Sequence, residues 1–172
     1  MKYLEARPLI QSGDLIFFGP SSSMFSRFEV WWTQREYAHC AIAVRVGIEG
    51  QDRLMVVEQH LGGQRIVTLS SYLKGRPLIT VVKSPVPWGL YGADLVEQSG
   101  AVDYSLPELA AIGLREKFGL KVKDFSGVVC SAMIAQVLIT HGIRIPTTQV
   151  SPGLLYRQVR DQGFTDRFNI ES

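Results

Sequence analysis

The chain has 172 residues, of which 46% are hydrophobic and 20% charged, and carries a formal net charge of +2. This suits a single globular domain over residues 1–172 with a sizeable core, and so small a charge, without blocks of one sign, gives no footing for a nucleic-acid partner. Two cysteines are too few for a secreted disulfide framework, and no apolar run approaches the ~20 residues of a membrane span.

The N-terminus, Met-Lys-Tyr-Leu-Glu-Ala-Arg-Pro, carries charges early and has no long apolar stretch, so it does not resemble a signal peptide. The expected location is cytoplasmic, or virion-associated for a phage-encoded protein. Gly13-Asp14 marks a turn, and Leu15-Ile-Phe-Phe after it reads as a short buried strand closed by Gly19-Pro20. From Met24 to Gln34, Phe25, Phe28 and Trp32 recur at roughly helical spacing. Tyr37 to Val46 alternates as a strand, Gly47 to Asp52 turns, and Arg53 to His60 is its hairpin partner. Shorter strands follow at Arg65 to Leu69 and Leu78 to Lys83.

Pro85 and Pro87 precede a helical stretch around Ala93 to Gln98. Ser105-Leu-Pro-Glu108 has the spacing of a capping box, and its helix should run to about Phe118 with Gly119 as the stop. A further helix opens at Cys130, capped by Ser126, and stops at Gly142. Ser151-Pro152 opens the last helix, which Gly163 ends. These elements make an α+β fold, a small, largely antiparallel sheet with helices packed on it.

The chemistry-bearing residues begin with Cys130. A thiol at a helix N-terminus feels the positive end of the macrodipole and the unpaired N–H groups there, and both favour thiolate. His141 lies on nearly the same stripe of that helix, but eleven positions on it is about 16 Å away along the axis. A base must therefore come from His39 or His60. Alternation places His39, Ala41 and Ala43 on one face of their strand and Cys40, Ile42 and Val44 on the other, which makes Cys40 a small buried hydrophobe rather than a partner of His39. The small residues beside His39 would let a helix pack close on that face. Glu58 and His60 share a face of the neighbouring strand. A carboxylate in so apolar a run needs a partner, and Nδ1–H of His39 would satisfy it, as would Arg45 or Arg65. Each residue also has a plainer role. A buried cysteine usually only packs, a strand histidine is usually a hydrogen-bonded core residue, and Phe25, Phe28, Trp31 and Trp32 would ordinarily be core or lid packing. No CxxC or HExxH spacing suggests a metal, and no cofactor is called for.

Taken in order, these segments resemble the permuted branch of the NlpC-type papain-like superfamily, whose relatives include the YiiX-like hydrolases and the lecithin:retinol acyltransferase group. The resemblance runs from Gly13-Asp-Leu-Ile-Phe17 through Tyr37-Ala-His39, Val56-Val-Glu58, Asp103-Tyr104-Ser105 and Val129-Cys130-Ser131 to Ser151-Pro152. Histidine before cysteine is its most specific feature, since unpermuted relatives have the cysteine first. Ala132-Met133 stand where the family usually has an acidic residue and an aliphatic. The Asn-Cys-Glu-His pattern of the acyltransferase group is absent, and Cys40 replaces the usual small residue.

The resemblance implies a papain-like cysteine hydrolase, with Cys130 as nucleophile, His39 as base and Glu58 orienting it (His60 next in line). The backbone N–H of Cys130 or Ser131 would help hold the oxyanion, and Tyr37 and Tyr104 would line the site. The implied substrate is a small peptide or acyl compound, first of all an amide bond of a cell-wall muropeptide. The alternatives are a lipid-ester acyltransferase or lipase with membrane contact through the aromatic cluster, and an inactive binding module.

Overall fold

The computed structural model describes residues 1–33, 35–48, 51–60, 63–76, 78–84, 106–119, 129–146, 150–164 and 166–171. Among them, six strands form one sheet in the order β4-β3-β2-β1-β5-β6, every neighbouring pair antiparallel. The strands are β1 (Leu15–Phe18), β2 (His39–Ile48), β3 (Gln51–His60), β4 (Gly63–Thr68), β5 (Ile79–Val82) and β6 (Arg167–Ile170). The helices are α1 (Tyr3–Ala6), α2 (Met24–Thr33), α3 (Leu106–Phe118), α4 (Cys130–Thr140) and α5 (Pro152–Asp161), with 3₁₀ turns at Arg7–Leu9 and Leu69–Tyr72. The fold is α+β, as expected. The strand β6 and the N-terminal helix were not expected. The expected helix at 93–98, the Ser105 capping box and the Ser126 cap lie outside the described residues, as does the Phe25 side chain.

Both faces of the sheet are apolar, because alternation along β1 sends large side chains each way and β2 is apolar on both sides. Leu15, Phe17, Cys40, Ile42, Val57 and Val82 pack with Met133, Ile134, Val137 and Leu138 of α4 and with Leu155 and Val159 of α5. On the reverse, Ile16, Phe18, Ala41, Ala43, Val56 and Val81 pack with Ala6, Ile10 and Leu69. This corrects one expectation. The Cys130 helix covers the Cys40 face, whereas the small-residue face of β2 receives the N-terminal segment and the second 3₁₀ turn. Alternation separates the two faces of a strand but cannot say which layer covers which.

Helix ends follow local chemistry. Gly142 at φ 82° and Gly163 at φ 92° occupy the left-handed region beyond α4 and α5, where a side chain would be strained. Ser151 caps α5 by accepting from the Leu154 N–H at 3.2 Å. Its own N–H and hydroxyl both donate to the Glu116 carboxylate at 2.8 Å, which ties the start of α5 to α3.

Candidate functional site

Cys130 is the first residue of α4. Val129 before it is extended, at φ −95° and ψ 162°, and the Met133 N–H makes a helical bond to the Val129 carbonyl. The N–H groups of Cys130 and Ser131 therefore lie ahead of that bond, in the part of a helix where N–H groups lack intrahelical acceptors. Ser131 is fully buried, and its hydroxyl donates to the Val150 carbonyl, pinning the first turn of α4 to the segment that leads into α5. Cys130 is 1% exposed.

His39 is the first residue of β2 and pairs with Phe18, the last of β1, which places it at the rim of the sheet. Its ring stacks on Phe18 with centroids 5.6 Å apart and lies 6.2 Å from that of Tyr72. Nε2 hydrogen-bonds Oε2 of Glu58, and the imidazole also interacts with Cys130. The expected His39–Glu58 pair is present with the other ring nitrogen. The carboxylate takes Nε2. The rim position explains how a residue two along from Tyr37 and adjacent to Cys40 can reach both a carboxylate of β3 and a thiol at the start of α4.

Glu58 is fully buried and multiply satisfied. Besides His39, its oxygens accept from Nε of Arg65 at 2.6 Å and from the Tyr72 hydroxyl. Arg65, on β4, sits directly opposite Glu58 of β3 in the ladder. Arg45, the other candidate partner, pairs instead with Asp52. A lone buried carboxylate would be costly, and this set of donors is what offsets the cost.

The electrostatics follow from these contacts. Burial opposes charge on His39, but the neighbouring Cys130 sulfur and Glu58 carboxylate outweigh it and raise the imidazolium to about 9. Burial likewise opposes ionisation of Glu58, yet its bonds to His39, Tyr72 and Arg65 lower it to about 2. Cys130 is held well below the ordinary thiol value, by the hydrogen bond from Cys40 first and by His39 next, against the opposing effect of burial. These shifts run in the direction of a thiolate–imidazolium pair backed by a carboxylate. His60 moves the other way: its partial burial and the nearby Arg65 disfavour the cation.

Cys40 is fully buried, as expected, and in addition touches Cys130 as a hydrogen-bond donor. Tyr37 lies in the same core as Cys130, its hydroxyl bonded to Oγ1 of Thr80 at 2.8 Å and its ionisation pushed up to about 12 by burial. Tyr104 lies outside the described residues. Nothing in the sequence marks Tyr72, in a 3₁₀ turn, as the partner of a carboxylate fourteen positions away. Among the described residues, no three or more His, Cys, Asp or Glu side chains are grouped to hold a metal ion, and no helix is long and apolar enough to cross a membrane.

Two predictions concern this cluster. Glu58→Gln removes the buried charge that His39, Arg65 and Tyr72 share, and should lower the unfolding free energy by about 3 kcal/mol. The figure sits at the low end because Arg65 is partly solvated. Urea denaturation measures it, and an unchanged midpoint would show that the cluster adds nothing to stability.

The second concerns pH. His39, raised from 6.5 to about 9, adds stability that is complete below pH 6.5 and lost as pH rises through 9. Cys130, lowered from 9.0, adds stability that is complete above pH 9 and lost as pH falls toward its folded value. Between 6.5 and 9, folding moves a proton from sulfur to imidazole with no net uptake, so the two slopes cancel. Glu58, lowered from 4.5 to about 2, adds stability present above pH 4.5 and lost as pH falls through 2. Denaturation midpoints should hold level from pH 6.5 to 9 and decline in acid. A steady decline from 6.5 to 9 would mean that His39 gains its proton without Cys130 giving one up.

No family model matches the chain, and no curated protein matches it. Among solved structures it is similar to the metalloprotein YiiX from Escherichia coli O157:H7, at 17% sequence identity over 66% of this chain and 69% of that one, with a TM-score of 0.44.

Proposed function

We propose that the protein is a cysteine hydrolase of the permuted papain-like kind, which cleaves an amide or ester bond through an acyl-enzyme on Cys130. The observation that carries this reading is the buried series Glu58–His39–Cys130, with a carboxylate on one ring nitrogen and a depressed thiol beside the ring. The Cys130 thiolate attacks the carbonyl carbon. The N–H groups at the start of α4 stabilise the resulting oxyanion, an effect often worth ~3 kcal/mol per donor. Imidazolium His39 gives its proton to the leaving group as the tetrahedral species collapses to a thioester, and neutral His39 then activates the water that releases the acid. Glu58 fixes the ring and favours its charged form.

Peptide amides of the cell-wall type are the first substrates to try. The test is incubation of the purified chain with muropeptides and, separately, short-chain esters, followed by mass spectrometry of both products and protein. Cleavage accompanied by an acyl adduct on the Cys130 peptide is the expected result. Turnover with the adduct elsewhere, or with Cys130 fully blocked, would remove the assignment.

A second reading, action on lipid acyl esters, has one observation in its favour. Met24, Phe28 and Trp31 of α2 are 87%, 53% and 60% exposed, and Nζ of Lys117 lies 3.7 Å from the centroid of the Trp31 ring. Apolar and aromatic side chains beside a cation suit the lipid–water interface. Co-sedimentation with liposomes separates this reading from a peptidase acting in free solution.

A further inference from the structure

We infer that the cleft between α5, β6 and the connection from α2 to β2 binds a small ligand carrying phosphate groups. The cleft encloses about 630 Å³, a volume suited to a small organic molecule. Four arginines line it: Arg157 and Arg160 on one face of α5, Arg167 from β6, and Arg35 from the connection. Arg35 is paired with Glu116 at 3.4 Å, whereas among the described residues no carboxylate pairs with Arg157, Arg160 or Arg167. Glu36 is the single carboxylate in the described lining.

Two of these cations are held on one ring. Arg167 donates from Nη1 to the Tyr156 hydroxyl, and the Arg160 and Arg167 guanidiniums lie 5.7 and 5.9 Å from the centroid of the same ring. One buried aromatic ring therefore gathers two like charges at the wall of a cavity, an arrangement that an anion between them would relieve. Asn169 adds a neutral donor. Its Oδ1 accepts from Thr80 at 2.8 Å, which leaves its NH₂ group for the cleft. A carboxylate is planar and is satisfied by one guanidinium fork. A phosphate offers three or more oxygens in tetrahedral directions, so it can take forks arriving from a helix and a strand together. None of Cys130, His39 and Glu58 lines the cleft, so the inference stands or falls apart from the hydrolase reading.

The test is isothermal titration of the full chain with inorganic pyrophosphate, with citrate as a parallel arm. Pyrophosphate should bind with Kd below about 1 mM. The double variant Arg157→Gln, Arg160→Gln should weaken it roughly tenfold or more, and Glu36→Gln should tighten it. All three residues are solvent-exposed, and circular dichroism checks that the variants fold. Iodoacetamide labelling of Cys130 should be unchanged throughout. Absence of pyrophosphate binding, binding indifferent to the double variant, or citrate binding as tight as pyrophosphate would each overturn the inference.

Discussion

Replacing Cys130 with alanine should abolish turnover of any substrate found in the muropeptide and ester screen, and should eliminate fast iodoacetamide incorporation near pH 7. The fold should survive. The substitution removes one sulfur from a packed core and leaves a void smaller than a methylene-rich deletion would, at a cost of roughly 1 kcal/mol. It also removes the sulfur that interacts with His39, but the imidazole keeps Glu58 as partner. Cys40 remains as an internal control. It is equally buried and adjacent, so any general opening of the core would expose both thiols. Fast labelling confined to Cys130 in the native chain isolates activation from access. Turnover that persists in the alanine variant would end the nucleophile assignment.

His39→Ala is expected to slow alkylation of Cys130 at pH 7 roughly 30-fold or more. Without the imidazolium, burial drives the thiol back toward or above its ordinary value of 9.0, where only about one per cent is thiolate at neutral pH. The hydrogen bond from Cys40 persists and moderates the loss. The pH profile distinguishes an electrostatic role from simple disruption. In the variant, the rate should recover as pH rises through 9, because hydroxide then supplies the thiolate that His39 supplied before. A rate depressed equally at every pH would indicate a damaged site instead, and an unchanged rate at pH 7 would remove His39 from the mechanism.

The strands were legible because their patterns are local. Alternation from Tyr37 and a run of valines before Glu58 place β2 and β3 to within two residues, and the glycines at 142 and 163 stop their helices as expected. The pairing of His39 with Glu58 could be anticipated because a carboxylate in an apolar strand demands a donor. Other features had no local signal. Arg-Phe-Asn-Ile in β6 is short and half polar, and becomes a strand only because β5 offers an unpaired edge. Which ring nitrogen meets Glu58 depends on the rim position of β2, a tertiary fact. So does the choice of sheet face for the Cys130 helix, since β2 is apolar on both. The cleft arginines come from three separate elements and have no common spacing to betray them.

The placement of β1 carries a consequence for dynamics. Leu15–Phe18 are fully buried, hydrogen-bonded to β2 on one side and β5 on the other, and covered above and below by the two apolar layers. Deuterium can reach those amides only when the whole molecule opens, so their exchange rates should track global unfolding, whereas β6 at the sheet's margin should exchange through local fraying. Those four amides thus make a built-in gauge: protection lost there reports collapse of the entire fold, and protection lost only at β6 reports a loosened cleft wall.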